Sequence, residues 1–343
     1  LINIEKEDMS TKKDGGMMVS SKVTVVIVNW NRKHDVIALL DCLLNLVYEK
    51  ISVVLVDNAS TDDSVAAIKG HPLKVFLVEN SVNLGGTVGF NTGIRYALDH
   101  LQQDFVWLLD NDVLVTPYSL DQLVAAMEQD PSIALAGSRI VNQNDREAVV
   151  ETGAYLSLKN GNVAALNRNV KNSALRDDVL DVDYVAVCSA LVRANAIATV
   201  GLMDERYFLL WDDMDWGASF KRHGYRVVCA LGSIVYHPAF TEKRSLVVDN
   251  YYGIRNPLLT ISKHTKGFTR IQGLFNILGR AAGIASLFSL NGQKKAAGLC
   301  FQATRDFLTN AWGQVGALPS LENLHKCMTV PLSELYRKKV LVL

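Results

Sequence analysis

The sequence predicts an α/β fold on an open, mostly parallel sheet. Three observations carry this. Residues 23–28 (VTVVIV) and 51–56 (ISVVLV) are continuous apolar, β-branched runs, as in strands buried on both faces. Strand-like and helix-like stretches alternate four times between Val23 and Gln129. Each of the four strand-like runs ends in a polar cluster, at the edge where open α/β sheets bind ligands.

The elements follow in order. After the first strand, residues 34–46 place Ile37, Leu40, Leu43 and Leu44 at helical spacing. The second strand leads to a helix over 60–69, whose Ser and Asp suit an N-terminus. A short strand is expected at 74–78, a helix at 87–100, a fourth strand at 105–109 (FVWLL) and a helix at 118–129. From 131 to 183 the pattern loosens into short strands, such as 133–136, among Asn-rich loops. An apolar stretch, 184–192, precedes a loop. A helix over 213–223 follows, with Gly224 in the C-cap position. Strands are expected at 226–231 and 234–236, and helices beyond Tyr251. This divides the chain into a disordered or vector-derived extension (1–20), an α/β body (21–262) and a basic helical region (263–343).

With 49% hydrophobic and 20% charged residues over 343 positions, the chain can bury a large core and lacks the signature of global disorder. Lys plus Arg and Asp plus Glu both number 35, whereas a dedicated nucleic-acid binder would be basic, so no nucleic acid is expected. The balance hides an asymmetry. From Lys266 onward ten basic residues face three acidic ones, a net of +7, so the body is acidic and the tail basic. The five cysteines include no CxxC pair, which argues against a zinc ribbon or disulfide scaffold and for a reducing cytoplasm. No uninterrupted run of 18 apolar residues occurs, so no transmembrane helix is expected. The best candidate, 274–290, is broken by Arg280 and by small residues.

The polar clusters are Asn29-Trp30-Asn31, residues 57–62 (DNASTD), residues 83–93 (NLGGTVGFNTG) and Asp110-Asn111-Asp112. Any one of them is ordinary turn chemistry. Four at one sheet edge point to a binding crevice. Gly85, Gly89 and Gly93 recur every four residues and can share a helix face, either for close packing on the sheet or for a ligand. No GxGxxG follows the first strand, which speaks against a dinucleotide-dependent dehydrogenase. Asp110 and Asp112 offer hard oxygen ligands at i and i+2, suited to Mg²⁺ or Mn²⁺. Asp212, Asp213 and Asp215 lie between Trp211 and Trp216. They either complement a helix N-terminus or form a desolvated pocket in which one carboxyl becomes a base. His237 is an ordinary core or surface residue or, beside a DxD pair, a third metal ligand.

In order, VTVVIVNWN, VLVDNASTDDS, NLGGTVGFNTGI, VWLLDNDV, FLLWDDMDWGASFKRHGYRV, VYHPAF and YYGIRNPLL resemble the family 2 glycosyltransferases. The resemblance covers about two-thirds of the chain, and is nearest to the bacterial rhamnosyltransferase and galactofuranosyltransferase branch that builds cell-surface polysaccharides. It implies a GT-A fold with a C-terminal helical segment. It also implies an inverting reaction that uses a UDP- or dTDP-sugar donor, Mn²⁺ or Mg²⁺, and a glycan or lipid-linked glycan acceptor. By motif position, Asp57 reads the pyrimidine edge, with Asn29 and Asn31 lining the same pocket and Asn83 and Gly86 contributing to nucleotide binding. Asp110 lies near the ribose and the metal, Asp112 binds the metal, and His237 completes the coordination. Asp213 is the catalytic base, Asp212 and Asp215 orient acceptor hydroxyls, and Trp211 stacks on a sugar. Asp212 stands where Glu is common in the branch. The resemblance assigns no role to Arg255 and Asn256.

The tail has two readings: a helical subdomain packed on the body or on a second copy, or an amphipathic segment on a membrane surface, at the inner face of the cytoplasmic membrane. A sugar nucleotidyltransferase would usually carry a Gly-rich basic loop where this chain has NWNRKHD, and a non-catalytic glycan-binding or scaffold protein would not need both acid groups.

Overall fold

The computed structural model describes residues 21–238 and 248–315, so the extension over 1–20 lies outside the described residues. The first half alternates as the sequence predicts: β1 (Val23–Asn29), α1 (Lys33–Leu44), β2 (Ile51–Asp57), α2 (Ser64–Lys69), β3 (Phe76–Glu79), α3 (Gly85–His100), β4 (Phe105–Asp110), the two-residue β5 (Leu114–Val115) and α4 (Ser119–Gln129). Then come β6 (Ile133–Asn142), β7 (Val149–Glu151), the hairpin β8 (Ala154–Ser157) and β9 (Asn162–Ala165), β10 (Val179–Asp181) and β11 (Ser189–Arg193). The rest is α5 (Ala194–Val200), α6 (Asp212–Arg222), β12 (Arg226–His237), α7 (Gly253–His264), α8 (Gly267–Leu290) and α9 (Lys294–Leu308).

The main sheet runs β10-β12-β6-β11-β4-β1-β2-β3. β3, β2, β1 and β4 are mutually parallel, as are β6 and β12, while β11 runs antiparallel between β4 and β6. Alternation along each strand feeds two cores. Val23, Val25 and Ile27 pack with Leu39 and Leu40 of α1 and Leu120 and Met127 of α4. Val26 packs on the other face with Phe90 and Ile94 of α3 and Trp216 and Phe220 of α6. Burying each such side chain contributes roughly 1.5–3 kcal/mol, so a helix layer on both faces follows from the unbroken apolar runs.

Several expectations shift. Helix α2 starts at Ser64, not Ser60, because the loop before it is held by side chains. Ser60 N donates to Asp57 Oδ2 at 2.8 Å and Thr61 N to Asn31 Oδ1 at 2.7 Å. Strand β6 is ten residues long, and a short helix, α5, follows β11 in place of a loop. The expected strands 226–231 and 234–236 are one strand interrupted by a bulge: Ala230 pairs with Ser138 and Ile234 with Arg139, leaving residues 231–233 unopposed. Ser233 Oγ pins the bulge by donating to the Ser119 carbonyl at 2.7 Å. Gly224 has φ +85° just after α6, the left-handed geometry of a C-cap glycine. The boundary set at residue 263 falls inside α7, and α7, α8 and α9 share one core with Tyr251 and Tyr252, so the helical unit begins earlier. Finally, α8 is long and apolar enough to cross a membrane, by length and composition, where the sequence reading expected no such helix.

Candidate active site

Parallel strands in register end at one edge, so their terminal residues meet. Asn29 lies opposite Asp57, and Val28 opposite Asp110. Asn29 Nδ2 donates to Asp57 Oδ1 at 3.1 Å, and Asn29 Oδ1 accepts from Asn111 Nδ2 at 2.9 Å. Asp57 is buried and also accepts from Ser60 Oγ at 2.6 Å. The exposed Asn31, in left-handed geometry (φ 52°), ties the first loop to the second through Thr61. Asn29, Asn31 and Asp57 are thus brought together. In the third loop, Asn83 Oδ1 accepts from Gly85 N at 2.9 Å, while Gly86 N donates to the Phe208 carbonyl at 3.2 Å.

The glycine series is explained by packing. A Cβ on Gly89 would lie 2.7 Å from Val28 and one on Gly93 2.3 Å from Val26, so these glycines let α3 lie close on β1. Gly85 has φ +83°, and a Cβ there would meet the Phe208 carbonyl at 2.5 Å.

Asp110, Asp112 and His237 converge because β5, directly after the DxD turn, pairs antiparallel with the end of β12, Leu114 opposite Tyr236. Their ligand atoms all lie within 4.8 Å of one another. His237 Nε2 is 3.3 Å from Asp112 Oδ1, and Nδ1 lies 2.5 Å from the Pro238 carbonyl. With Nδ1–H donating to that carbonyl, Nε2 is turned toward the acids, the tautomer of a metal-ligating imidazole. Burial and the neighbouring Asp112 charge push the Asp110 carboxyl up to about 7. Burial works against the charge on Asp112 too, but the His237 hydrogen bond and charge outweigh it and hold that carboxyl low. On His237, burial is outweighed by the two acids, which raise the imidazole. Two carboxylates crowded at a buried edge are costly without a cation, and two oxygens plus one imidazole nitrogen suit Mn²⁺ or Mg²⁺.

The second acid group stands on a distorted turn. Leu210 and Trp211 have φ of 64° and 71°, left-handed geometry that costs a non-glycine residue on the order of 1–3 kcal/mol. Asn256 holds it: its Nδ2 donates to the carbonyls of Leu209 (2.8 Å) and Leu210 (2.7 Å). The buried Arg255 aims that amide, Nε donating to Asn256 Oδ1 at 3.0 Å, while Nη1 donates to the Gly313 carbonyl at 2.8 Å. Its guanidinium lies 5.0 and 5.1 Å from the ring centres of Tyr251 and Tyr252. The YYGIRN segment, to which the resemblance assigned nothing, is a clamp on the acid turn.

Beyond that turn, Asp212 Oδ2 accepts from Thr87 Oγ1 at 2.8 Å, and burial raises its carboxyl. Asp213 is half-buried. Burial first, then the Asp212 charge, with Glu151 and Asp110 adding, push its carboxyl well above the usual range. Two expectations are corrected. Asp215 is 1% exposed and binds Lys263 Nζ at 2.6 Å and His264 Nε2 at 2.7 Å, so it anchors α6 to α7 where an acceptor contact was expected. Trp211 is 8% exposed and packs with Tyr207, Leu259 and Met214, so it offers no open ring face to a sugar. Sequence reasoning gave no role to Thr87 or Asn256 and missed Glu151, a buried acid that accepts from Tyr184 Oη at 3.0 Å.

With this geometry in view, residues 24–185 match the family described as Glycosyl transferase family 2. The chain carries a family 2 glycosyltransferase domain. The matched span holds Asn29, Asp57, Asp110 and Asp112 and ends before Asp212, Asp213 and His237. The domain is similar to an N-acetylglucosaminyl-diphospho-decaprenol L-rhamnosyltransferase of Mycobacterium tuberculosis, 28% identical over 59% of this chain and 71% of that protein. It is also similar to the galactofuranosyltransferase GlfT2 of Mycolicibacterium smegmatis, 24% identical over 72% of this chain and 42% of that protein. Against GlfT2 of Mycobacterium tuberculosis the match covers 32% of the relative's length, so this chain spans under half of either GlfT2. Among solved structures, the mannosyltransferase PcManGT from Pyrobaculum calidifontis in complex with GDP-Man and Mn²⁺ aligns at a TM-score of 0.55 and 17% identity, over 86% of this chain and 89% of that one. S. aureus TarS 1-349 in complex with UDP-GlcNAc aligns at 0.55 and 17%, over 84% and 81%. The glycosyltransferase domain therefore has the GT-A fold.

Proposed function

We propose that this chain is a metal-dependent, inverting glycosyltransferase. In this reading it moves a sugar of the rhamnose or galactofuranose type from a UDP- or dTDP-sugar to a glycan or lipid-linked glycan acceptor in cell-surface polysaccharide synthesis. The observation that carries the reading is the division of acids at one crevice. Asp110 and Asp112 meet a histidine, whereas Asp213 lies outside that cluster, beyond the turn that Asn256 holds.

In this mechanism Asp57 and Asn29 receive the base edge of the nucleotide at the ends of β2 and β1. Asp213 accepts the proton of an acceptor hydroxyl as its oxygen attacks the anomeric carbon from the face opposite the nucleotide. Asp212, fixed by Thr87, orients the acceptor. Asn256 keeps Asp213 in place through the turn before it, so positioning supplies part of the acceleration. A Mn²⁺ or Mg²⁺ ion held by Asp110, Asp112 and His237 would neutralise the departing diphosphate as a Lewis acid. A cytoplasmic location fits the free cysteines among the described residues.

The test is thermal shift with UDP, dTDP, GDP and CDP, each with Mn²⁺ and with EDTA, followed by UDP- and dTDP-sugars with glycan acceptors. Metal-dependent stabilisation by UDP or dTDP, followed by transfer, is the expected outcome. Folded protein that binds no nucleotide would refute the Asp57 and DxD assignments together.

A further inference from the structure

Helix α8 turns its apolar side outward. Phe268, Ile271, Phe275, Leu287 and Leu290 are exposed, Phe268 by 78%, Phe275 by 74% and Leu290 by 81%. The positions exposed between them are uncharged except for Arg280. The helix holds only two charged residues, and both fold back onto the protein. Arg270 Nε donates to the Thr265 carbonyl at 2.8 Å, and Arg280 Nη2 to Asn162 Oδ1 at 2.7 Å. The outer face is thus apolar or small over 24 residues, about 36 Å at 1.5 Å per residue. Helix α9 adds the exposed Phe301 and Leu308.

The opposite side of α8 is fastened along its length. A Cβ on Gly273 would sit 2.5 Å from the Leu158 carbonyl, Ile277 packs against Gly161, and Ala281, Ala285 and Phe288 share a core with α7 and α9. A helix held this way lies on a surface; it does not stand across a bilayer. Its surroundings are basic. Lys266 precedes it, Lys294 and Lys295 follow it, and all three are exposed. The sole acid between Lys266 and Val315 is Asp306, buried and bonded to Tyr251 and Arg305. A second copy of the chain on this face would set lysine against lysine whether the two helices ran parallel or antiparallel, a like-charge contact. An anionic lipid surface suffers no such conflict: it accepts the apolar face below its headgroups and the lysines among them.

We propose that the outer face of α8 docks this protein on an anionic bilayer, with the helix lying in the interfacial plane. The test is sedimentation of the full chain with vesicles of phosphatidylcholine and of phosphatidylcholine mixed with phosphatidylglycerol, which needs no donor, metal or turnover. The chain is expected to sediment with the mixed vesicles, less so as salt rises, and to be released by alkaline carbonate. Phe268→Ser with Phe275→Ser should weaken binding more than about tenfold. Lys294→Gln with Lys295→Gln should weaken it about thirtyfold, from about 1 kcal/mol per basic residue. All four side chains are exposed, so melting temperature and circular dichroism should not move. The proposal is overturned if the chain ignores mixed vesicles, or if the double Phe variant binds them as well as the parent. A lipid-free dimer that the double Phe variant dissociates, with no vesicle binding, would assign the face to a second copy. Resistance to carbonate would make α8 a span, and would equally overturn the interfacial placement.

Discussion

Asp213 is raised because it is buried beside Asp212, and a raised carboxyl is a better proton acceptor once it is ionised. Asp213→Asn should lower transfer by roughly 10²–10⁴-fold and leave nucleotide binding intact, as turnover assays beside calorimetry would show. Full activity in that variant would move the base elsewhere. The pH profile of the parent carries the same signature. Activity should fall as pH drops through the raised value, above the ordinary aspartate pKa of about 3.9. The proposed metal site has its own pH dependence. With Asp110 pushed up to about 7 and His237 raised, both must lose protons before they can ligate. Mn²⁺ affinity should therefore weaken as pH falls through about 7, with protons released on binding; calorimetry in buffers of different ionisation enthalpy measures both. Asn256 acts one step removed. Asn256→Leu leaves two turn carbonyls without donors, at about 1–3 kcal/mol, and should lower kcat about tenfold or more while the affinity for Mn²⁺ and UDP is kept. An equal loss of nucleotide affinity would contradict its role as a positioning residue.

At the scale of elements, α3 shows how closely helix and sheet approach. Gly93→Val would drive its side chain into Val26, whose Cγ1 lies 2.3 Å from the position of a Cβ, and should lower the melting temperature through about 1–3 kcal/mol of overpacking. A variant that melts with the parent would mean the contact relaxes freely. Much of this level was legible in the sequence. VTVVIV, ISVVLV and FVWLL are doubly buried strands, and Asn29, Asp57 and Asp110 stand at their ends because parallel register puts them there. What was not legible depends on distant backbone. Thr87 meets Asp212 across 125 residues, and Asn256 meets the carbonyls of Leu209 and Leu210, groups that every residue carries and no composition reveals. Asp215 and Trp211 were misjudged for the same reason: their partners, Lys263, His264 and Leu259, come from a helix far along the chain.

Over the whole molecule, the tail and body cannot be separated at residue 263. Asp215 is a buried charge neutralised by two residues of α7. A chain cut after residue 262 loses both partners of Asp215, and a buried charge left unpaired costs about 3–5 kcal/mol. That truncation should give protein that melts far below the parent or fails to stay soluble. Scanning calorimetry on the parent should show one cooperative transition, and a truncated body with the parent's melting temperature would contradict the linkage. The helical unit is therefore tied to the proposed site, since α7 supplies both the clamp on the Asp213 turn and the partners of Asp215 in α6.

The unopposed residues 231–233 in β12 set a rule of parity. Before them the even-numbered Val228 and Ala230 face the core of α1 and α4; after them the odd-numbered Val235 does. Three unopposed residues exchange the numbering of the two faces, because the pairing of Ile234 with Arg139 resumes the alternation of β6, and His237 reaches the acids as an odd-numbered residue past that exchange. The segment can therefore lengthen or shorten and His237 keeps its side as long as Ile234 stays opposite Arg139, whereas a slip of one residue in the pairing of β12 with β6 would turn it away while every residue of the motif remained in the sequence.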